Sequence, residues 1–133
     1  MARDNTGQDY SEPQDEEQEQ DMPEKQAFTL ADIFAAREQA GKLYHEFLRE
    51  PSMSVGLYQL EAGASDPQQP HTEDELYYII QGRGQLQVAQ EQTAVEPGSL
   101  IFVPANMEHR FHSITEALSV LVFFAPAEYS QRG

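Results

Sequence analysis

The chain of 133 residues contains no cysteine and few basic residues. Without cysteine, it cannot form disulfides, use a thiolate nucleophile or bind zinc through sulfur. Eight basic residues stand against 23 acidic ones, which gives a formal net charge of -15. Nucleic acids and anionic membrane surfaces are recognised through basic patches. The composition therefore predicts that neither is a partner.

Long hydrophobic runs are also missing. The longest apolar stretch, around Leu118 to Pro126, is too short to cross a bilayer. The N-terminus has no basic region followed by an apolar run, as a signal peptide would, and its acidity is unlike an organellar transit peptide. We therefore expect a cytoplasmic protein.

Aliphatic side chains are nearly absent from residues 1–26, which are rich in Asp, Glu and Gln. Such a segment buries too little apolar surface to offset the entropy of ordering it. It is predicted to be an acidic, disordered tail. Its role is either to increase solubility or to attract a basic partner. Residues 27–133 are long enough for one domain with a modest core.

The pattern in residues 27–133 predicts one short helix followed by many short strands. Thr29 can cap the helix and Gly41 can end it. After Gly41, apolar runs are separated at short intervals by turn residues, and Gly82 to Gly84 is predicted to be a hairpin turn. Many strands without interleaved helices indicate an all-β, antiparallel sandwich or barrel.

Two strings carry the residues typical of a metal site. The first, Gly63 to Gly82, places Gln69, His71 and Glu75 just before an apolar strand. The second, Pro97 to His109, ends on another isolated histidine. Two histidines and a carboxylate presented from two strands form a ligand set for a divalent metal with open positions. The pattern therefore favours a metal-binding β domain.

The spacing of both strings resembles the paired motifs of the cupin superfamily, single-domain type. The matching positions are Gly63, Gln69, His71, Glu75 and Gly82 in the first motif, and Gly98, Pro104, Asn106 and His109 in the second. The resemblance implies an antiparallel double-stranded β-helix, or jelly-roll barrel. It also implies that His71, Glu75 and His109 are metal ligands.

Two positions depart from the family pattern. Gln69 stands where the family usually has its first histidine, and Asn106 replaces a glycine. A glutamine oxygen is a weak, neutral ligand, so the site is either a two-histidine, one-carboxylate triad with Gln69 nearby or a weakened four-ligand site. Iron, manganese, nickel and zinc would all suit it. Asparagine tolerates the left-handed conformation that a turn glycine often serves.

Several other polar and aromatic residues are of interest near these motifs. Glu73 is interpreted as a solvated loop charge, with an alternative role as a ligand, and His45 and His112 are interpreted as non-ligands. Tyr77 is a candidate acid or hydrogen-bond donor if it points inward. The aromatic residues expected mainly in the core are Tyr58, Tyr77, Phe102, Phe111 and Phe123.

The resemblance to metal-binding cupins leaves two functional classes open. One is a metal-dependent enzyme acting on a small organic molecule, either dioxygenase-like or a Lewis-acid isomerase or lyase. The other is a non-catalytic module that binds a metal or metabolite, or a structural dimer. Apolar residues on both faces of the strand around Leu118 to Phe124 leave room for an interface, so we expect a homodimer.

Overall fold

A computed structural model describes residues 27–131. The predicted acidic tail, residues 1–26, lies outside the described residues. Within them, no helix has the length and apolar character needed to cross a membrane.

The helix α1, Leu30–Ala40, begins and ends as its sequence predicts. The Thr29 hydroxyl accepts a hydrogen bond from the Asp32 amide. Gly41 adopts a left-handed conformation, φ 68°, and its amide donates to the carbonyls of the last turn. Both caps satisfy backbone groups that a helix end leaves unpaired. Ile33 is the buried residue of this helix, and α1 contacts the first two strands.

In the part of the chain that the structure describes, six strands follow the helix. They are β1 (Tyr44–Glu50), β2 (Met53–Leu60), β3 (Asp74–Val88), β4 (Glu91–Val95), β5 (Leu100–Val103) and β6 (His109–Ala125). All pairings are antiparallel, in the order β1-β2-β6-β3-β4, and β5 pairs with β3. The expected all-β antiparallel fold is therefore confirmed.

The predicted hairpin at Gly82 to Gly84 was wrong, because β3 runs through this segment without reversing. Its pairing with β6 shifts register on either side of Gly82, which has φ 100°. A side chain there would collide with the Ala117 carbonyl of β6. Gly82 therefore serves a bulged bend in a long strand, since glycine alone combines this conformation with so close an approach. Ser113, φ 50°, lies within β6, which likewise continues through this position.

The core lies between the inward faces of these strands. Tyr58, Tyr77 and Phe111 are buried in it, as expected. Phe102 was expected in the core but is 56% exposed. It alternates with buried Val103 on β5, so strand periodicity places its ring on the outer face.

Candidate metal site

Two strand beginnings and one loop bring the predicted ligands together. Glu75 lies near the start of β3, and His109 is the first residue of β6. His71 comes from the loop before β3, and its carbonyl accepts a 2.6 Å hydrogen bond from the Asn106 amide. Asn106 has φ 66°, the left-handed conformation that its place in the second string predicts. This bond ties the two loops that carry the histidines.

The imidazoles of His71 and His109 both face one carboxylate oxygen of Glu75. Glu75 Oε2 lies 2.9 Å from His71 Nδ1 and 3.1 Å from His109 Nε2. One donor atom from each residue falls within 4.8 Å of the others. All three residues are buried, with exposed fractions of 2–6%. The predicted grouping of His71, Glu75 and His109 is therefore present in the fold.

Each of the three residues has a buried polar atom without a hydrogen-bond partner among the described residues. His71 Nδ1, Glu75 Oε1 and His109 Nε2 are all buried without a hydrogen bond of acceptable geometry among the described residues, despite the short distances. Buried polar atoms are normally paired, so each unpaired one needs an explanation. Unpaired imidazole nitrogens beside a carboxylate fit the donor set of a divalent ion.

Burial and the charges of neighbouring groups have opposite effects on the pKa values of the three residues. Burial favours neutral histidine, but contact with the Glu128 and Glu75 carboxylates raises the pKa of His71 to about 9. Burial likewise acts to lower the pKa of His109, and Glu75 raises it overall. The pKa of Glu75 is lowered, because the two imidazoles outweigh the effect of burial. Without a metal, a proton on His71 is therefore favoured at neutral pH.

Glu128 belongs to this site, although no sequence motif indicates it. Glu128 Oε2 lies 3.0 Å from His71 Nε2, on the ring nitrogen that faces away from Glu75. The next residue, Tyr129, stacks on the same ring with centroids 5.4 Å apart. Neither residue lies in a recognisable motif. Only the fold places them against His71.

Glu73 holds these two residues in place, so its interpretation as a solvated loop charge was wrong. Its side chain is fully buried. It accepts hydrogen bonds from the amides of Tyr129, at 2.7 Å, and Gln131, at 2.9 Å, and from the Thr72 hydroxyl. Burial acts to raise the pKa of Glu73, but the effect of these hydrogen bonds is larger and the pKa is lowered. An ionised carboxylate thus anchors the segment after β6 across the site.

The predicted donor Tyr77 is fully buried beside the cluster. Its ring centroid lies 6.1 Å from that of His109. Burial, followed by the negative charge of Glu75, raises the pKa of Tyr77 well above its usual value. The Tyr77 hydroxyl donates to Gln68 Oε1 at 3.2 Å, and Gln68 Nε2 donates to Asp66. Tyr77 therefore stays a neutral phenol, held by an amide that the sequence analysis did not single out.

The other predicted polar residues lie farther out. Gln69 is exposed at the surface, where it lines clefts on both sides of the loop. His45 and His112 lie outside the donor cluster, and His112 instead contacts Gln92 and Ser113. The role of Gln69 as a fourth ligand stays a prediction.

A cavity of about 420 Å³ opens beside His71. Its wall combines apolar and aromatic side chains with a few polar groups, including Gln68, Gln69 and Glu128. Its size and composition are those of a small-molecule pocket. One member of the donor cluster, His71, thus lines a cavity of ligand size.

Comparison with known proteins fits this geometry. The family described as "Cupin domain" matches residues 56–124, which include His71, Glu75 and His109. The chain belongs to the cupin family. An uncharacterized protein of Streptomyces coelicolor is 48% identical over 102 residues, which cover 77% of this chain and 97% of that protein.

Solved structures of other proteins have a similar fold. TT1209 from Thermus thermophilus is 25% identical with a TM-score of 0.62, covering 76% of this chain and 97% of that one. An RmlC-like cupin from Shewanella frigidimarina is 16% identical with a TM-score of 0.57, covering 63% of this chain and 75% of that one. The second likeness shows the fold alone: the double-stranded β-helix that the motif spacing implied.

Proposed function

We propose that this cupin binds one divalent metal ion through His71, Glu75 and His109. The observation that carries the proposal is that these three residues are buried together, each with an unpaired polar atom, and that one ligand atom from each lies within 4.8 Å of the others. Gln69 is proposed either as a weak fourth ligand or as a residue near a three-ligand site, the two alternatives that the motif predicts. The imidazole and carboxylate donors suit iron, manganese, nickel or zinc.

Glu128 has a supporting role in this proposal. A metal-bound histidine usually gives its other ring N–H to a carboxylate, which fixes the tautomer and the ring orientation. Glu128 Oε2, 3.0 Å from His71 Nε2, is placed to accept that proton. His71 Nδ1 then carries the lone pair toward Glu75. Glu128 is thus a positioning residue for the metal ligand.

The proposed activity is metal-dependent chemistry on a small organic molecule held in the adjoining cavity. A bound ion with open positions would supply dioxygenase-like or Lewis-acid isomerase or lyase chemistry. Tyr77 is the candidate proton donor, because its neutral phenol is buried beside Glu75. The alternative, a non-catalytic binding module, is supported by the same cluster and cavity. We assign the protein to the cytoplasm, as its sequence predicts.

The direct test is a cobalt(II) titration of the metal-free full chain. We expect about one equivalent to bind, with visible absorption bands from nitrogen and oxygen donors. Elemental analysis of protein purified aerobically and anaerobically would identify the native metal. A titration that shows no saturable binding would contradict the proposed function.

We also propose that the protein is a homodimer, supported by an apolar patch on the outer face of β3 and β5. The patch consists of Leu76, Tyr78, Leu100 and Phe102, which are 38–63% exposed. Cross-strand pairing aligns Leu76 with Phe102 and Tyr78 with Leu100. Exposed apolar patches mark interaction surfaces. Two chains of charge -15 repel each other, so a patch free of charged side chains is where a second copy can approach.

Placing a charge in this patch should disrupt the dimer. We expect Phe102→Glu to shift the protein from dimer to monomer in sedimentation velocity, because the interface would have to bury an unpaired carboxylate. Leu30→Glu is the matched control, since Leu30 is 45% exposed on α1, outside the patch. A monomeric wild-type protein, or a dimer that Phe102→Glu leaves intact, would refute this interface.

A further inference from the structure

The cavity beside His71 has aromatic walls. Four rings line it: Tyr44, Tyr58, Phe124 and Tyr129. The Tyr44 ring lies edge-on to those of Tyr58 and Phe124, with centroids 6.3 and 6.4 Å apart. Tyr129 stacks on His71. Aromatic faces attract cations as well as apolar groups, because the ring quadrupole is negative above the plane.

Two carboxylates, Glu75 and Glu128, flank the imidazole of His71, so the charges around the cavity sum to a negative value even when this imidazole carries a proton. Glu128 is the charged carboxylate in its lining, and no lysine or arginine among the described residues lines this cavity. The two nitrogens of His71 already face Glu75 and Glu128, so this imidazole is not available to pair with an incoming anion. The strongly acidic balance of the chain adds a long-range attraction for cations.

Besides His71 Nδ1, the cavity lining contains a second unpaired polar group. The Tyr44 hydroxyl oxygen is buried without a hydrogen-bond partner in the part of the chain that the structure describes. Burial, followed by the negative charge of Glu128, raises the pKa of Tyr44, so the oxygen belongs to a neutral phenol. Its lone pairs would accept an N–H from a bound molecule.

From these walls we infer that the cavity takes a small organic amine, with an apolar or aromatic body and a protonated nitrogen, in preference to an organic acid. The body would pack on the rings of Tyr44, Tyr58 and Phe124. The ammonium would lie between the Tyr129 face and the Glu128 carboxylate. This deepens the proposed function by naming its ligand class, and it rests on that function only in treating the cavity as the approach to the donor cluster.

The test uses three probes with the same ring and different charge: benzylamine, benzyl alcohol and benzoate. Each is titrated into the metal-free full chain at neutral pH, and binding is followed by amide chemical shifts. We expect benzylamine to bind about tenfold more tightly than benzoate, with benzyl alcohol between them. The shifts should centre on His71 and Tyr129.

Variants that replace one carboxylate by an amide distinguish the effect of the cavity wall from the effect of the protein's net charge. Glu128→Gln should reduce the difference between benzylamine and benzoate several-fold, because it removes the carboxylate from the wall. Glu91→Gln removes an equal charge from an exposed position on β4 and should leave the difference unchanged.

Three results would overturn the inference. They are equal or tighter binding of benzoate, no binding of any probe at about 10 mM, and a charge preference that Glu91→Gln reduces as much as Glu128→Gln does. The probes are measured without metal, so a failed cobalt titration would not affect this result. Conversely, binding of cobalt without binding of benzylamine would refute the proposed ligand class and leave the proposed metal site intact.

Discussion

Replacing His109 with alanine should weaken cobalt(II) binding by more than about 100-fold. Loss of a group that only orients a ligand typically weakens metal binding about 10- to 100-fold, and loss of a ligand itself should exceed that. His109 has a buried side chain whose Nε2 faces Glu75, while its Nδ1 lies 2.8 Å from the Met107 carbonyl. His71→Ala should have a comparable effect. Competition with a chelator of known affinity would measure both losses.

The matched control for these variants is His112→Ala. His112 is half-buried on the same strand as His109 but contacts Gln92 and Ser113 instead of the cluster. It should bind cobalt as the wild type does. Thermal melts of the metal-free variants would show that each is folded. Retention of one tightly bound ion by both His71→Ala and His109→Ala would refute the ligand assignment.

Metal affinity should fall steeply with pH, by about 100-fold between pH 9 and pH 7. A metal needs neutral imidazole, and the pKa of His71 is about 9 in the metal-free protein. Below that pKa, binding must displace one proton, which reduces affinity about tenfold per pH unit. The raised pKa of His109 steepens the dependence. Calorimetric titrations in buffers of different ionisation enthalpy would count the protons released.

Stability of the metal-free protein should show the matching trend. A histidine whose folded pKa is raised stabilises the fold fully below its unfolded pKa, 6.5, and loses that contribution as the pH rises through the folded value, about 9. The melting temperature should therefore decline between pH 6.5 and 9. A flat melting temperature together with pH-independent affinity would show that the carboxylates do not hold a proton on His71.

Local periodicity explains what could be predicted from the sequence. Alternation along a strand puts Glu75 and Tyr77 on the same face of β3, and the structure has both buried there. The cap of α1 at Thr29 and the left-handed turn at Asn106 depend on one residue each and its immediate neighbours. Motif spacing added that His71 and His109 meet, which periodicity alone does not provide.

The remaining features depend on contacts between distant segments. Glu73 was misjudged because the amides that pair with its carboxylate belong to residues as far as 58 positions away. Gly82 was interpreted as a turn because glycine signals both a reversal and a bulge, and the choice depends on β6 lying alongside. Phe102 was misplaced because hydrophobicity alone does not indicate which face of β5 is covered.

The segment anchored by Glu73 lies outside residues 56–124, the part of the chain that matches the cupin domain. Its Glu128 and Tyr129 nevertheless form part of the wall of the cavity. Relatives with identical histidines can therefore differ in this wall, so ligand preference is free to diverge in evolution while the inner donors stay fixed. Classifying such proteins by motif alone would group members that bind different ligands.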